Sequence, residues 1–81
     1  MRTFQEKLRG LREDNDLTQE NVARLLGTSQ TMYARYERGA NEMPIHHLIT
    51  ICRIFNVSAD FLLDTAPRMD RPLKIYEKDP G

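Results

Sequence analysis

Apolar residues recur along this chain at helical spacing, and residues that stop helices break the pattern. Phe4, Leu8 and Leu11 fall at i, i+4 and i+7, one stripe of a helix. Thr3 precedes them with Glu6 three residues on, a capping-box spacing, and Asn15-Asp16 closes the segment. A second helix starts at Thr18 as N-cap, buries Val22, Ala23 and Leu26, and stops at Gly27, where a left-handed residue suits a helix C-terminus. Ser29 caps a third, running from Gln30 to about Arg38 and stopped by Gly39. Its inward positions are expected to be Tyr33, Tyr36 and Glu37, and its outward ones Thr31, Met32, Arg35 and Arg38. Pro44 opens a fourth helix at a position where proline is tolerated, with Leu48, Ile51, Cys52 and Phe55 as its core stripe and Asn56 as its end. Ser58 caps a last short helix, Ala59–Leu63, with Asp60 in its first turn, where the helix dipole favours an acid.

From Asp64 the pattern breaks. The remaining segment holds three of the chain's four prolines and no helical stripe. The expected organisation is one all-α domain over residues 1–64, a compact five-helix bundle, followed by a flexible or loosely docked tail at 65–81. Leu73, Ile75 and Tyr76 offer a short strand as the alternative for that tail.

Composition narrows the class. Eighty-one residues, 40% hydrophobic and 30% charged, suit one soluble globular domain with a small core. No apolar run approaches a membrane span, and the N-terminus lacks the apolar stretch of a signal peptide. The single cysteine, Cys52, has no internal disulfide partner. These features point to the cytoplasm and to no membrane association. Twelve basic and twelve acidic residues cancel. Any contact with a polyanion therefore rests on local clustering, and non-specific affinity is expected to be modest.

The stretch 17–39, LTQENVARLLGTSQTMYARYERG, carries the chemistry. Two short helices joined at Gly27 form a helix-turn-helix, a unit that sets its second helix into the major groove of DNA. Gln30 suits adenine, Arg35 suits guanine, Thr31 a hydrogen bond or a thymine methyl, and Met32 an apolar contact. Gln19, at the first position of the second helix, is placed to meet a phosphate beside free backbone N–H groups. Arg38 and Asn41 are further backbone candidates. The expected DNA-facing set is Gln19, Ser29, Gln30, Thr31, Met32, Arg35, Arg38 and Asn41. Glu37 lies on the inward side and needs a partner if buried. Arg12, one residue past Leu11, is the natural one, giving a structural ion pair and not a catalytic site.

Other reactive residues form no site. His46 and His47 are adjacent, project to different sides of a helix and lack the spacing of a zinc site. Cys52 lies on a core stripe without a base. There is no glycine-rich phosphate loop. No enzyme activity, metal, cofactor or small-molecule ligand is expected.

From Leu8 to Leu63 the chain resembles the lambda-repressor-like (Cro-type) helix-turn-helix family. The resemblance rests on Leu8 and Arg12, then LTQENVARLLG, TMYARYERG and FNVSADFLL in that order. It implies a five-helix bundle that binds operator DNA, usually as a dimer, and regulates transcription. Gln19 then matches the family's phosphate-contacting, bracing glutamine. Gln30, Thr31 and Arg35 match its base-reading positions, with Met32 beside them, and Arg12–Glu37 matches a recurring ion pair. The loop Ala40-Asn41-Glu42-Met43 departs from the family by carrying an acid and no base. The tail is too short to be a sensing domain, which favours a minimal regulator or a DNA-binding piece of a larger protein. The expected function is a sequence-specific DNA-binding repressor acting as a homodimer. The alternative is an antitoxin-like module that acts mainly by binding protein. Ile49 and Ile54 flank the core stripe of the fourth helix and are the candidate dimer contacts.

Overall fold

The computed structural model describes residues 2–63, which form five helices: α1 Phe4–Asp14, α2 Gln19–Leu26, α3 Gln30–Arg38, α4 Ile45–Phe55 and α5 Ala59–Leu63. The expectations for the 65–81 tail, including Leu73, Ile75 and Tyr76, lie outside the described residues.

Short-range chemistry fixes the boundaries. The Glu6 N–H donates to Thr3 Oγ1 at 3.1 Å, and the Thr3 N–H donates back to the Glu6 carboxylate at 2.9 Å. Thr18 and Asn21 repeat this exchange at the start of α2, with bonds of 3.0 and 2.9 Å. Ser29 Oγ accepts the Met32 N–H at 3.1 Å to start α3. Each bond satisfies an amide that the helix itself leaves unpaired. Gly27 and Gly39 end α2 and α3 at φ +76° and +79°, a left-handed conformation that costs other residues energy. Asn56 ends α4 in the same region, at φ +55°.

Pro44 opens α4 as its N-cap, with extended backbone at φ −61° and ψ 152°. The N–H of a cap residue takes no part in the helical ladder, so proline loses nothing there. Its carbonyl accepts from the amides of His47 and Leu48 at 3.0 and 3.1 Å.

The core takes residues from every helix: Leu8 from α1, Val22, Ala23 and Leu26 from α2, Tyr33 and Tyr36 from α3, Ile51 from α4 and Leu62 from α5. α2 packs on α3 and α4, α1 on α3 and α5, and α4 on α5. The helix-turn-helix is thus held from behind by α1 and α4, with α5 packed on both of these. Leu48, Cys52 and Phe55 are partly buried around Ile51. His47 is buried too, which the sequence reading did not foresee. It lies one turn before Ile51, on the same helical face, and its ring meets Tyr36 at a centroid distance of 5.9 Å. Burial pushes its imidazole below the ordinary value, and neighbouring His46 adds to the shift. No helix among the described residues is long and apolar enough to cross a membrane.

Candidate nucleic-acid interface

The outer face of α3 rests on a polar hub. Glu37 points back toward α1 and α2, and its side chain is 5% exposed. Arg12 meets it with both arms of the guanidinium, Nε donating to Oε2 at 2.6 Å and Nη2 to Oε1 at 3.2 Å. The Tyr33 hydroxyl donates to Oε2 at 2.6 Å and the Gln19 amide to Oε1 at 3.1 Å. Arg12 Nη1 also donates to the Leu17 carbonyl at 2.9 Å, which ties in the turn before α2. One carboxylate therefore joins α1, the head of α2 and α3.

The electrostatics follow from this geometry. Burial by itself raises the Glu37 pKa, but the hydrogen bonds from Arg12, Tyr33 and Gln19 outweigh it and hold the carboxyl below its ordinary value. The bond to Glu37 raises the Arg12 pKa against the opposing effect of burial. Burial first, and then the bond to Glu37, push the Tyr33 phenol upward. Among the described residues no buried side-chain nitrogen or oxygen lacks a partner. A buried ion pair costs desolvation energy that only such complete satisfaction repays.

Outside the hub, Gln30, Thr31, Arg35 and Arg38 are exposed along α3, with Ser29 exposed at its cap. Gln19 stands half-buried at the head of α2 beside them. Its bond to Glu37 uses one amide hydrogen and leaves the other available. Gln19, Arg38, Arg9 and Arg12 line an open cleft over the hub. Arg9 escaped the sequence reading because it occupies an ordinary solvent-facing position of α1; its own ion partner is Glu13, at 3.0 Å. Among the described residues no three His, Cys, Asp or Glu side chains cluster closely enough to hold a metal ion.

Comparison with known proteins follows the same outline. A family model described as helix-turn-helix matches residues 8–62. The chain belongs to this family. Among helix-turn-helix relatives, the uncharacterized transcriptional regulator YqaE of Bacillus subtilis is 42% identical over 60 residues, 74% of this chain and 52% of the relative. The cryptic phage CTXphi transcriptional repressor RstR of Vibrio cholerae is 31% identical over 72 residues, 88% and 65% of the two chains. Antitoxin PezA of Streptococcus pneumoniae is 34% identical over 70 residues, 86% and 44%. The chain thus matches about half to two thirds of the length of these relatives. The P22 c2 repressor, solved with a synthetic operator, superposes with a TM-score of 0.72 at 22% identity, covering 78% of this chain and 96% of that one. At that identity the likeness is one of fold.

Within the helix-turn-helix, one expected site residue sits differently from the sequence reading. Met32 is not on the outer face: it is partly buried and packed against the core. It flanks the Tyr33–Tyr36 stripe, and a long flexible thioether gains more by folding over apolar neighbours than by standing in water. Asn41, in the turn after α3, is exposed, and its Oδ1 accepts from Arg35 Nη1 at 3.2 Å. The sequence reading also missed the Tyr33 hydroxyl and the Gln19 amide as partners of Glu37. Tyr33 was findable, since it precedes Glu37 by four residues on one helix.

Proposed function

We propose that this chain is a sequence-specific regulator of transcription that binds double-stranded DNA as a repressor and reads the major groove with α3. The observation that carries this reading is the exposed row Gln30, Thr31, Arg35 and Arg38 on a helix whose opposite face is fixed by Tyr33, Tyr36 and Glu37. Base readout needs side chains held in register, and a braced helix holds them without ordering cost on binding. Gln30 and Arg35 have the donor and acceptor geometry for adenine and guanine edges, and Thr31 suits a thymine methyl. Gln19 and the first amides of α2 suit one phosphate, with Arg38 and Arg9 supplying charge at the same cleft. The repressor RstR and the operator-bound P22 protein support this role by kinship and by fold.

The protein acts as two copies on a near-palindromic site, with recognition helices about 34 Å apart. Exposed Ile49 on α4 supports this reading. The likeness to PezA favours a second reading, in which the same fold serves a protein partner. Selection of binding sites from a randomised duplex pool tests the choice. A single enriched motif, bound with salt-dependent affinity by two copies in sedimentation, is the expected result. Recovery of no motif would defeat the DNA reading and leave the protein-partner one.

A further inference from the structure

The turn after α3 does more than reverse the chain. Gly39, at φ +79°, brings the next two residues back over the end of α3. The amides of Ala40 and Asn41 both donate to the Arg35 carbonyl, at 2.9 and 3.4 Å. The Asn41 side chain then accepts from Arg35 Nη1 at 3.2 Å. Asn41 is therefore tied to Arg35 through main chain and side chain together.

We propose that Asn41 is the positioning residue for Arg35: it selects the guanidinium rotamer that meets a base edge, and so sets specificity without touching the base. This inference rests on the DNA-reading role of α3. The choice of an amide is the chemical point. A neutral acceptor restrains a long cationic side chain while leaving its full charge for DNA, whereas a carboxylate would neutralise it. Nη1 keeps a second hydrogen, and Nε and Nη2 keep theirs, so the planar fork still has a paired edge to offer guanine. No carboxylate among the described residues lies within ion-pair distance of Arg35. Restraint of one such side chain before binding is worth about threefold to tenfold in affinity.

The test measures binding of the full chain to its selected duplex and to the three variants at the base pair that Arg35 reads. The proteins are wild type, Asn41→Ala, Asn41→Asp, Arg35→Ala and the Arg35→Ala/Asn41→Ala pair. Asn41→Ala is expected to lose about threefold to tenfold on the selected site and little on the variants, flattening preference at that one position. In the Arg35→Ala background the same change is expected to have no effect. Asn41→Asp keeps the acceptor, so it retains the preference while weakening every duplex alike. A uniform loss from Asn41→Ala that persists without Arg35 would overturn the proposal and make Asn41 a phosphate contact. Unchanged preference in Arg35→Ala would instead overturn base reading by Arg35 itself. Asn41 is exposed, and matching thermal melts of the variants confirm that folding is not the cause.

Discussion

The two ends of this bundle are held by opposite kinds of chemistry. At the α1–α2–α3 end a single carboxylate collects bonds from Arg12, Tyr33 and Gln19. At the α4–α5 end the buried contacts are apolar apart from His47, around Ile51 and Leu62, and Ile45, Ile49 and Phe61 stay exposed. Polar hubs are directional: each bond fixes an angle as well as a distance. Apolar contacts are not, and an exposed apolar residue can exchange water for another surface. A chain that reads a sequence needs the first property where α3 is aimed. It needs the second where copies or partners associate. If this division is correct, substitutions at the hub move stability most, and substitutions at the far end move association with little change in folding.

The hub's central carboxylate gives the largest effect. Glu37→Ala leaves Arg12, with its side chain only 13% exposed, together with the Tyr33 hydroxyl and the Gln19 amide, all without their acceptor. Breaking one side of a buried pair costs about 3–5 kcal/mol, a large share of the stability of a small domain. The melting temperature is expected to fall by more than about 10 °C. A melt by circular dichroism within a degree or two of wild type would mean that the hub is not what aims α3.

Tyr33→Phe is the finer cut. It keeps the ring that meets Tyr36 edge-on at 6.5 Å and removes only the hydroxyl bonded to Glu37. Loss of a hydrogen bond to a charged group costs about 1.5–3 kcal/mol. Urea unfolding should show a lower midpoint with an unchanged slope, because the surface exposed on unfolding is the same.

How much of this was legible in the sequence depends on the range of each interaction. Thr3, Gly27, Ser29 and Gly39 announce helix ends through bonds or dihedrals made within a few residues, so the five helices could be read directly. The inward placement of Tyr33, Tyr36 and Glu37 followed from helical spacing, and Arg12 from the demand of a buried carboxylate. Met32 and His47 were not legible in the same way. Both flank a buried stripe, and only the packing of one helix on another decides which flank is covered. The Arg35–Asn41 bond depends on how far the turn at Gly39 carries the chain back. The Gln19–Glu37 bond needs the crossing of α2 and α3. The residues were visible; the distances between elements were not.

Acid separates the two regions by pH. His47 sits at the α3–α4 contact and is held below the ordinary imidazole value, with Tyr36 and His46 as ring neighbours. The fold favours its neutral form, so the unfolded chain takes up the proton first. Stability then starts to fall as pH drops below about 6.5. Glu37 is held below the ordinary carboxylate value, so its contribution is complete above about 4.3 and is lost as pH falls through the lower folded value. Melting temperature against pH should therefore decline in two stages. His47→Gln should delete the upper stage and Glu37→Gln the lower. A single decline near pH 4 in wild type would remove His47 from the account.

Lys7 makes a polar tether at the far end, from α1 to α5. Its ammonium donates to the Phe61 carbonyl at 2.8 Å and lies 5.3 Å from the centre of the Phe61 ring. Lys7→Met keeps the apolar stem and removes the charge. The expected loss is about 0.5–1 kcal/mol, the size of an exposed cation–π contact and far below that of Glu37→Ala. Hydrogen exchange should locate the change in the α5 amides, with α2 and α3 protected as before. Equal loosening of α3 would mean that the two ends are not energetically separate.

Ile49→Asp should change stability least and yet matter for assembly. Ile49 is 46% exposed, so an acid there is hydrated and strains nothing, and the unfolding free energy should stay within the range of about 0.5 kcal/mol typical of surface changes. Ile54, its counterpart across the α4 stripe, is packed against the core, and an acid there would confuse folding with association. In a two-fold dimer the same patch meets itself, so one substitution puts two carboxylates in one interface. Binding of two copies to a near-palindromic duplex should then lose cooperativity, while one copy on a half-site binds as wild type does. Sedimentation of both complexes reads this out. Undiminished cooperativity would move the dimer contact away from α4, and weakened half-site binding would mean that this face of α4 contributes to DNA contact itself.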